Sequence, residues 1–246
     1  MHIDITPCDD WFEFVFNDAK SIASLMGIEI SNIYFSGFSS QGDGACFEAQ
    51  LGYRRGCAAA VRAYAPKDTE LHVIADAWAA AHKRHFYQIS GRVRHSGRYS
   101  HEFCTNFEFE RGNRAWGNLD ASDDESAFIE PARDLMRWIY RQLEREYEYA
   151  SAWECARQWE EARVEMADER KAARELVRDM RAAIKAGQMA AASICSAIRA
   201  QLRAHLEQWE EARERRDYLA GEFYYRPDDR HGLPAITIEQ FAESNL

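Results

Sequence analysis

Ile33-Tyr34-Phe35-Ser36-Gly37-Phe38-Ser39-Ser40-Gln41-Gly42-Asp43-Gly44-Ala45-Cys46-Phe47 decides the fold class. Aromatic and β-branched residues fill the first arm, as strands prefer. The centre is Ser, Gln, Gly and Asp, which turn a chain rather than extend it. Beyond it, Ala45, Phe47, Ala49 and Leu51 alternate with Cys46, Glu48 and Gln50, a period of two with one apolar face. This pattern predicts a β-hairpin with strands over 29–38 and 45–51 and a long, glycine-bearing loop.

A helix over 11–26 precedes it. Asp9 or Asp10 stands where a cap belongs and Gly27 where a left-handed stop belongs. After the hairpin, 55–65 reads as helical and stops at Pro66. Asp68 then caps a helix to about residue 84, with Leu71, Ile74, Ala75 and Trp78 as its apolar stripe. A second hairpin follows, with strands over 86–95 and 99–110 turning at Ser96-Gly97-Arg98. Tyr99, His101, Phe103, Thr105, Phe107 and Phe109 share one face of its second strand. Residues 111–121 read as a loop. Ser122 and Glu125 make a capping box for a helix to about 150, kinked or restarted at Pro131. The implied class is α+β: a four-stranded, largely antiparallel sheet with helices on one face, over residues 1–150.

From residue 151 the composition turns to Ala, Glu and Arg. Helices over 152–186 and 188–220, broken at Gly187, predict a long helical hairpin or coiled coil over 151–221. Gln158-Trp159-Glu160-Glu161-Ala162-Arg163 recurs as 208–213. Residues 222–246 form a tail with Pro227 and Pro234, ending in a short strand over 236–238. The stripes of Leu, Ile and Met predict a homo-oligomer held through 152–220.

The chain has 246 residues, 29% of them charged, and a net charge of −10. Such an acidic balance argues against sequence-independent DNA binding by the whole molecule. No apolar stretch approaches the ~20 residues that a membrane span needs. The first eleven residues are acidic and lack a secretory n-region, so the expected location is the cytoplasm. The six cysteines are scattered, without a C-x-x-C pair or a zinc spacing, and are expected to be reduced. The sequence requires no metal and no cofactor.

Three clusters could carry chemistry. In the first turn, Gly42 and Gly44 free the backbone to approach a ligand, and Asp43 could act as a base. The alternative is plain turn chemistry. In the second, His95, Arg98, Tyr99, His101 and Glu102 fall within eight residues and could serve an acid–base or phosphate site. The alternative is a polar hairpin tip. Third, no acidic residue occurs between Asp76 and Glu102, whereas Lys83, Arg84, Arg92, Arg94 and Arg98 do. That basic patch suits a polyanionic partner, unless it pairs with the protein's own carboxylates.

Residues 33–38 and 40–47, Thr69-Glu70-Leu71-His72, Gly97-Arg98-Tyr99-Ser100-His101-Glu102 and 136–144 (Met-Arg-Trp-Ile-Tyr-Arg-Gln-Leu-Glu) carry a resemblance. Over about 11–150 the chain resembles a widespread family of phage and prophage proteins, often labelled antitoxins of toxin–antitoxin systems. The resemblance implies a phage-encoded protein that binds and neutralises a bacterial toxin or an immune (anti-phage defence) complex in the host cytoplasm. Gln41, Arg98, Tyr99 and His101 exceed what turning the chain requires, so the tips at 41–44 and 98–102 are expected to lie near each other as one surface, with Ser39, Gln41, Gly42, Asp43, Gly44, His95, Arg98, Tyr99 and His101 as its binding residues. One alternative is a hydrolase of a phosphate-containing substrate, with Asp43, His101 and Glu102 as acid–base groups. Another is a nucleic-acid or nucleotide binder using residues 83–98.

Overall fold

The computed structural model describes residues 12–38, 40, 42–111, 114–115, 122–186, 191–225 and 235–245, with backbone alone at 114–115, 122–124 and 191–197. Asp9, Asp10, Cys8, the Ser122 and Cys195 side chains, Gly187, Pro227 and Pro234 lie outside this description. Contacts divide the chain into an N-terminal unit ending at Glu146 and a C-terminal unit from Tyr147.

The N-terminal unit runs α1 (Glu13–Met26), β1 (Ile28–Ser36), β2 (Gly44–Leu51), α2 (Cys57–Tyr64), α3 (Thr69–Arg84), β3 (Ile89–His95), β4 (Thr105–Arg111), β5 (Arg114–Ala115) and the start of α4 (Ser122–Lys185). The sheet is an antiparallel meander in the order β1-β2-β3-β4-β5, with α2 and α3 inserted between β2 and β3. The fold class is therefore α+β, with the two-residue β5 an addition to the four expected strands.

Period-two burial builds the core. Ala45, Phe47, Ala49 and Leu51 of β2, Ile89 and Val93 of β3, and Phe109 of β4 are buried. Against them lie Ala19, Ile22 and Met26 of α1, Leu71, Ile74 and Trp78 of α3, and Phe128, Leu135, Ile139 and Leu143 of α4. Trp78 is wholly buried, and its indole N–H donates to the carbonyls of Met26 (3.1 Å) and Gly52 (3.2 Å). Gly27 ends α1 at φ 90°, and Asp68 accepts the Leu71 N–H (3.1 Å) at the start of α3, as the sequence predicted.

Three elements differ from their sequence reading. β4 begins at Thr105, not at 99, because residues 96–104 fold back on themselves. The Ser96 N–H donates to the Cys104 carbonyl (2.8 Å), the Cys104 N–H to that of His101 (2.8 Å), and the Thr105 hydroxyl to that of Glu102 (2.7 Å). These local bonds satisfy the backbone in place of a ladder. Second, α4 is one helix of 64 residues with Pro131 inside it. A helical proline costs about 3 kcal/mol, and burial of Phe128, Ala132, Leu135 and Met136 around it holds the helix together. Third, residues 238–245 form a helix, α6 (Ile238–Asn245), preceded by a single bridge between Tyr225 and Ile236.

In the C-terminal unit α4 runs antiparallel to α5 (Ala191–Glu222), giving the expected helical hairpin. Glu165 pairs with Arg215, and His205 with Glu169 at 2.6 Å. Its core joins Ala152, Cys155, Ala156 and Trp159 to Leu219, Ile238 and Phe241. The repeated hexapeptide has two fates. Trp159 is buried in that core, whereas Trp209 sits between the guanidinium groups of Arg170 (5.1 Å) and Arg213 (5.6 Å). Cys46, Cys57, Cys104 and Cys155 are free thiols. Among the described residues no helix is long and apolar enough to cross a membrane.

Three buried side chains among the described residues are polar, His82, His85 and Thr105, and His82 is the deepest. His82 is 1% exposed, neither ring nitrogen has a hydrogen-bond partner, and the rings of Trp78, Tyr53 and Phe128 enclose it at 4.8–5.1 Å. Burial, and secondarily the neighbouring His85, lower its pKa from 6.5 to about 4. The native state therefore excludes a proton that the unfolded chain binds. Stability from this source is complete above pH 6.5 and is lost as pH falls towards 4. Urea titrations across that window should show a loss steeper in wild type than in His82→Phe, by up to about 1.4 kcal/mol per pH unit. Parallel curves would contradict this.

Candidate functional site

The two polar loops singled out by sequence lie side by side. A Cβ built on Gly44 would stand 2.5 Å from the His101 Cβ and 2.9 Å from its Cα. One built on Gly42, whose φ is 134°, would touch the Tyr99 ring at 3.6 Å. Gly44 is thus the point of closest approach, and only a residue without a side chain fits there. Gly37 plays the same part within its own loop, since a Cβ there would lie 2.9 Å from Asp43 Oδ2. Ser39 and Gln41 are outside the described residues.

Each candidate acid–base group is engaged by the fold. Asp43 Oδ2 accepts the Ser40 N–H at 2.6 Å, and the Asp43 N–H returns to the Ser40 carbonyl at 3.1 Å. His101 Nδ1 accepts the Phe103 N–H at 3.1 Å. An imidazole accepting at Nδ1 carries its proton on Nε2, which here faces Cys104 Sγ at 3.6 Å. Both ring nitrogens are thus occupied by contacts within the loop. Glu102 Oε1 accepts from Arg137 Nε of α4 at 2.9 Å. His95 bonds through Nε2 to the Tyr99 carbonyl (3.0 Å) and stacks on Tyr34 at 4.8 Å.

Three groups beside the loops were not named as site residues from the sequence. Tyr140 of α4 donates to the Gly37 carbonyl (3.1 Å) and stacks on Phe38 (5.6 Å). Burial, then the nearby Glu144 and Asp43, raise its pKa and keep it a donor. Glu48 accepts from Asn32 (3.1 Å), Tyr34 (3.1 Å) and the His95 N–H (3.3 Å). The Asn32 bond is the main reason its carboxyl lies below the usual range, against the opposing effect of burial. Cys46 is pushed up to about 12, first by burial and then by Cys104. Partners this distant in sequence leave no local signal.

What the loops present outward is aromatic and cationic. Tyr99 is 54% and Phe103 60% exposed. The Arg133 guanidinium lies over the Phe103 ring at 4.8 Å, and Arg98 is exposed beside them. The expected basic stretch is divided between two places. Arg92 and Arg94 stand on the sheet face opposite Ile89 and Val93, with Arg92 paired to Glu108 of β4. Lys83 and Arg84 end α3.

An α+β domain whose paired hairpin tips are clamped by a long helix is the class that fold and site define. The model of a domain of unknown function, DUF8835, matches residues 11–152, and the chain belongs to that family. No curated protein and no solved structure matches it.

Gly44→Ala should lower stability by about 1–3 kcal/mol, the usual cost of overpacking. Gly221→Ala, in open space on α5, should be neutral or gain up to about 1 kcal/mol. Chemical denaturation of the two variants checks this, and an unperturbed Gly44→Ala would remove the close approach.

Proposed function

We propose that this protein is a binding protein rather than an enzyme, and that the two hairpin tips form one surface for a bacterial protein target. The observation that supports this most is a contrast. Asp43, His101 and Glu102 are held by the protein's own hydrogen bonds, while Tyr99 and Phe103 stand exposed on a rigid base. Rigid aromatic side chains beside arginines are what protein interfaces use as anchors. Gly42, Gly44 and His95 shape the surface, and Arg98 and Arg133 supply its charge.

The resemblance to phage and prophage proteins supports the class of target: a toxin or an immune complex of the bacterial host, met in its cytoplasm. The C-terminal helices support self-association. Ile184 is 47% and Leu206 53% exposed, so the hairpin leaves apolar surface that a second copy would cover. Light scattering at micromolar concentration should give a dimer or larger species, and a monomer would remove this part of the proposal.

The test of the surface is comparative. Host protein captured by the wild-type chain is purified, and its affinity is measured by calorimetry against wild type and a Tyr99→Ala/Phe103→Ala variant. The variant should bind at least about tenfold more weakly with an unchanged melting temperature. Equal affinity, or failure to capture any host protein, would overturn the reading.

A further inference from the structure

The turn from α3 into β3 carries a conformation that needs a reason. Phe86 and Tyr87 have φ of 54° and 60°, the left-handed region, and are the described residues other than glycine that do so. Bulky side chains are genuine outliers there. The turn itself is a helix stop, with the Tyr87 N–H on the His82 carbonyl (2.8 Å) and the Phe86 N–H on that of Lys83 (3.2 Å). A glycine or asparagine would make the same stop without strain. The consequence of having aromatics is outward display: Phe86 is 74% and Tyr87 51% exposed. Tyr87 is backed by Tyr53 at 4.7 Å, and Tyr53 by the buried His82 at 5.1 Å, so the display is anchored in the core.

Arg54 and Arg55, next to Tyr53, and Lys83 and Arg84, next to Phe86, are all exposed. Among the described residues none of the four takes part in an ion pair, and Arg54 reaches only the Ser24 carbonyl, at 3.4 Å. No acidic residue occurs from 77 to 101, on a chain whose net charge is −10.

From this juxtaposition we infer that Tyr53–Arg55 and Lys83–Tyr87 form a binding surface for single-stranded nucleic acid. Phosphates would meet the four cations, and unstacked bases the faces of Phe86 and Tyr87. This is how sequence-tolerant single-strand binding works, because every base has a π-face. A duplex keeps its bases stacked on one another and offers these rings no partner. An acidic peptide would use the cations and leave the rings idle. The surface is separate from the hairpin tips, and the inference does not depend on the function proposed for them.

The test is fluorescence anisotropy of the full chain with a labelled single strand of about 20 nucleotides, the matching duplex and polyglutamate. The single strand should bind at least about tenfold more tightly than either competitor, and its log–log salt slope should be near −3, or about 0.7 per phosphate for four contacts. Phe86→Gly and Tyr87→Gly, which relieve the backbone, should each weaken binding at least about fivefold, the smallest effect expected of a stacked base, without loss of melting temperature. Lys83→Glu/Arg84→Glu should flatten the salt slope. Absence of single-strand binding, equal binding of duplex or polyglutamate, or glycine variants that bind like wild type would overturn the proposal.

Discussion

The N-terminal unit depends on what residues 137–141 of α4 reach. Arg137 holds Glu102 in the loop before β4. Trp138 donates to Asp68 at 2.9 Å, the same carboxylate that caps α3. Tyr140 holds the Gly37 carbonyl at the end of β1, and Arg141 pairs with Glu70 in the first turn of α3. Leu135, Met136, Ile139 and Leu143 meanwhile bury the same stretch of helix in the core. Exposed ion pairs contribute little, about 0–1 kcal/mol each. A hydrogen bond to a charged group, as from the Trp138 indole, contributes about 1.5–3 kcal/mol. Apolar burial therefore fixes where the helix lies, and its polar residues then fix the loops.

That arrangement changes the meaning of the polar motifs. A carboxylate and imidazole cluster invites a reading as catalytic machinery. Here the carboxylate of Glu102 ties its loop to the helix, the imidazole of His101 terminates a backbone N–H, and Asp43 closes its own turn. Gly37, Glu70 and Glu102, from three separate segments, each bond to residues 137–141 of α4. They are parts of one clamp, and what the clamp holds out is Tyr99 and Phe103.

Much of this was legible in the sequence wherever one element decided its own fate. The period-two pattern of 45–51, the Gly27 stop and the Asp68 cap are local, and each stands as read. The approach of the two tips was also legible, because Arg98, Tyr99 and His101 exceed what a turn requires. The failures lie where distant contacts decide. Tyr99 to Phe103 alternate like a strand, yet internal hydrogen bonds and Arg137 make them a loop, and so Phe103 is exposed rather than packed. Pro131 would stop an isolated helix, and its buried neighbours carry α4 past it. Residues 238–245 fold as a helix against Trp159 and Tyr149, partners some eighty residues and more away.

Through Arg137, α4 holds the loop that displays the aromatic pair. Native-state hydrogen exchange tests this directly at the amides of Ser96 and Cys104, whose bonds close that loop. In Arg137→Met, which keeps the aliphatic stem and loses the pair with Glu102, these two amides should exchange at least about fivefold faster, as loss of a roughly 1 kcal/mol local contact implies. Amides of α1 and β2 should be unchanged. Unaltered exchange at Ser96 and Cys104 would contradict the account, and a uniform acceleration across the unit would show that Arg137 supports the whole fold and not the loop.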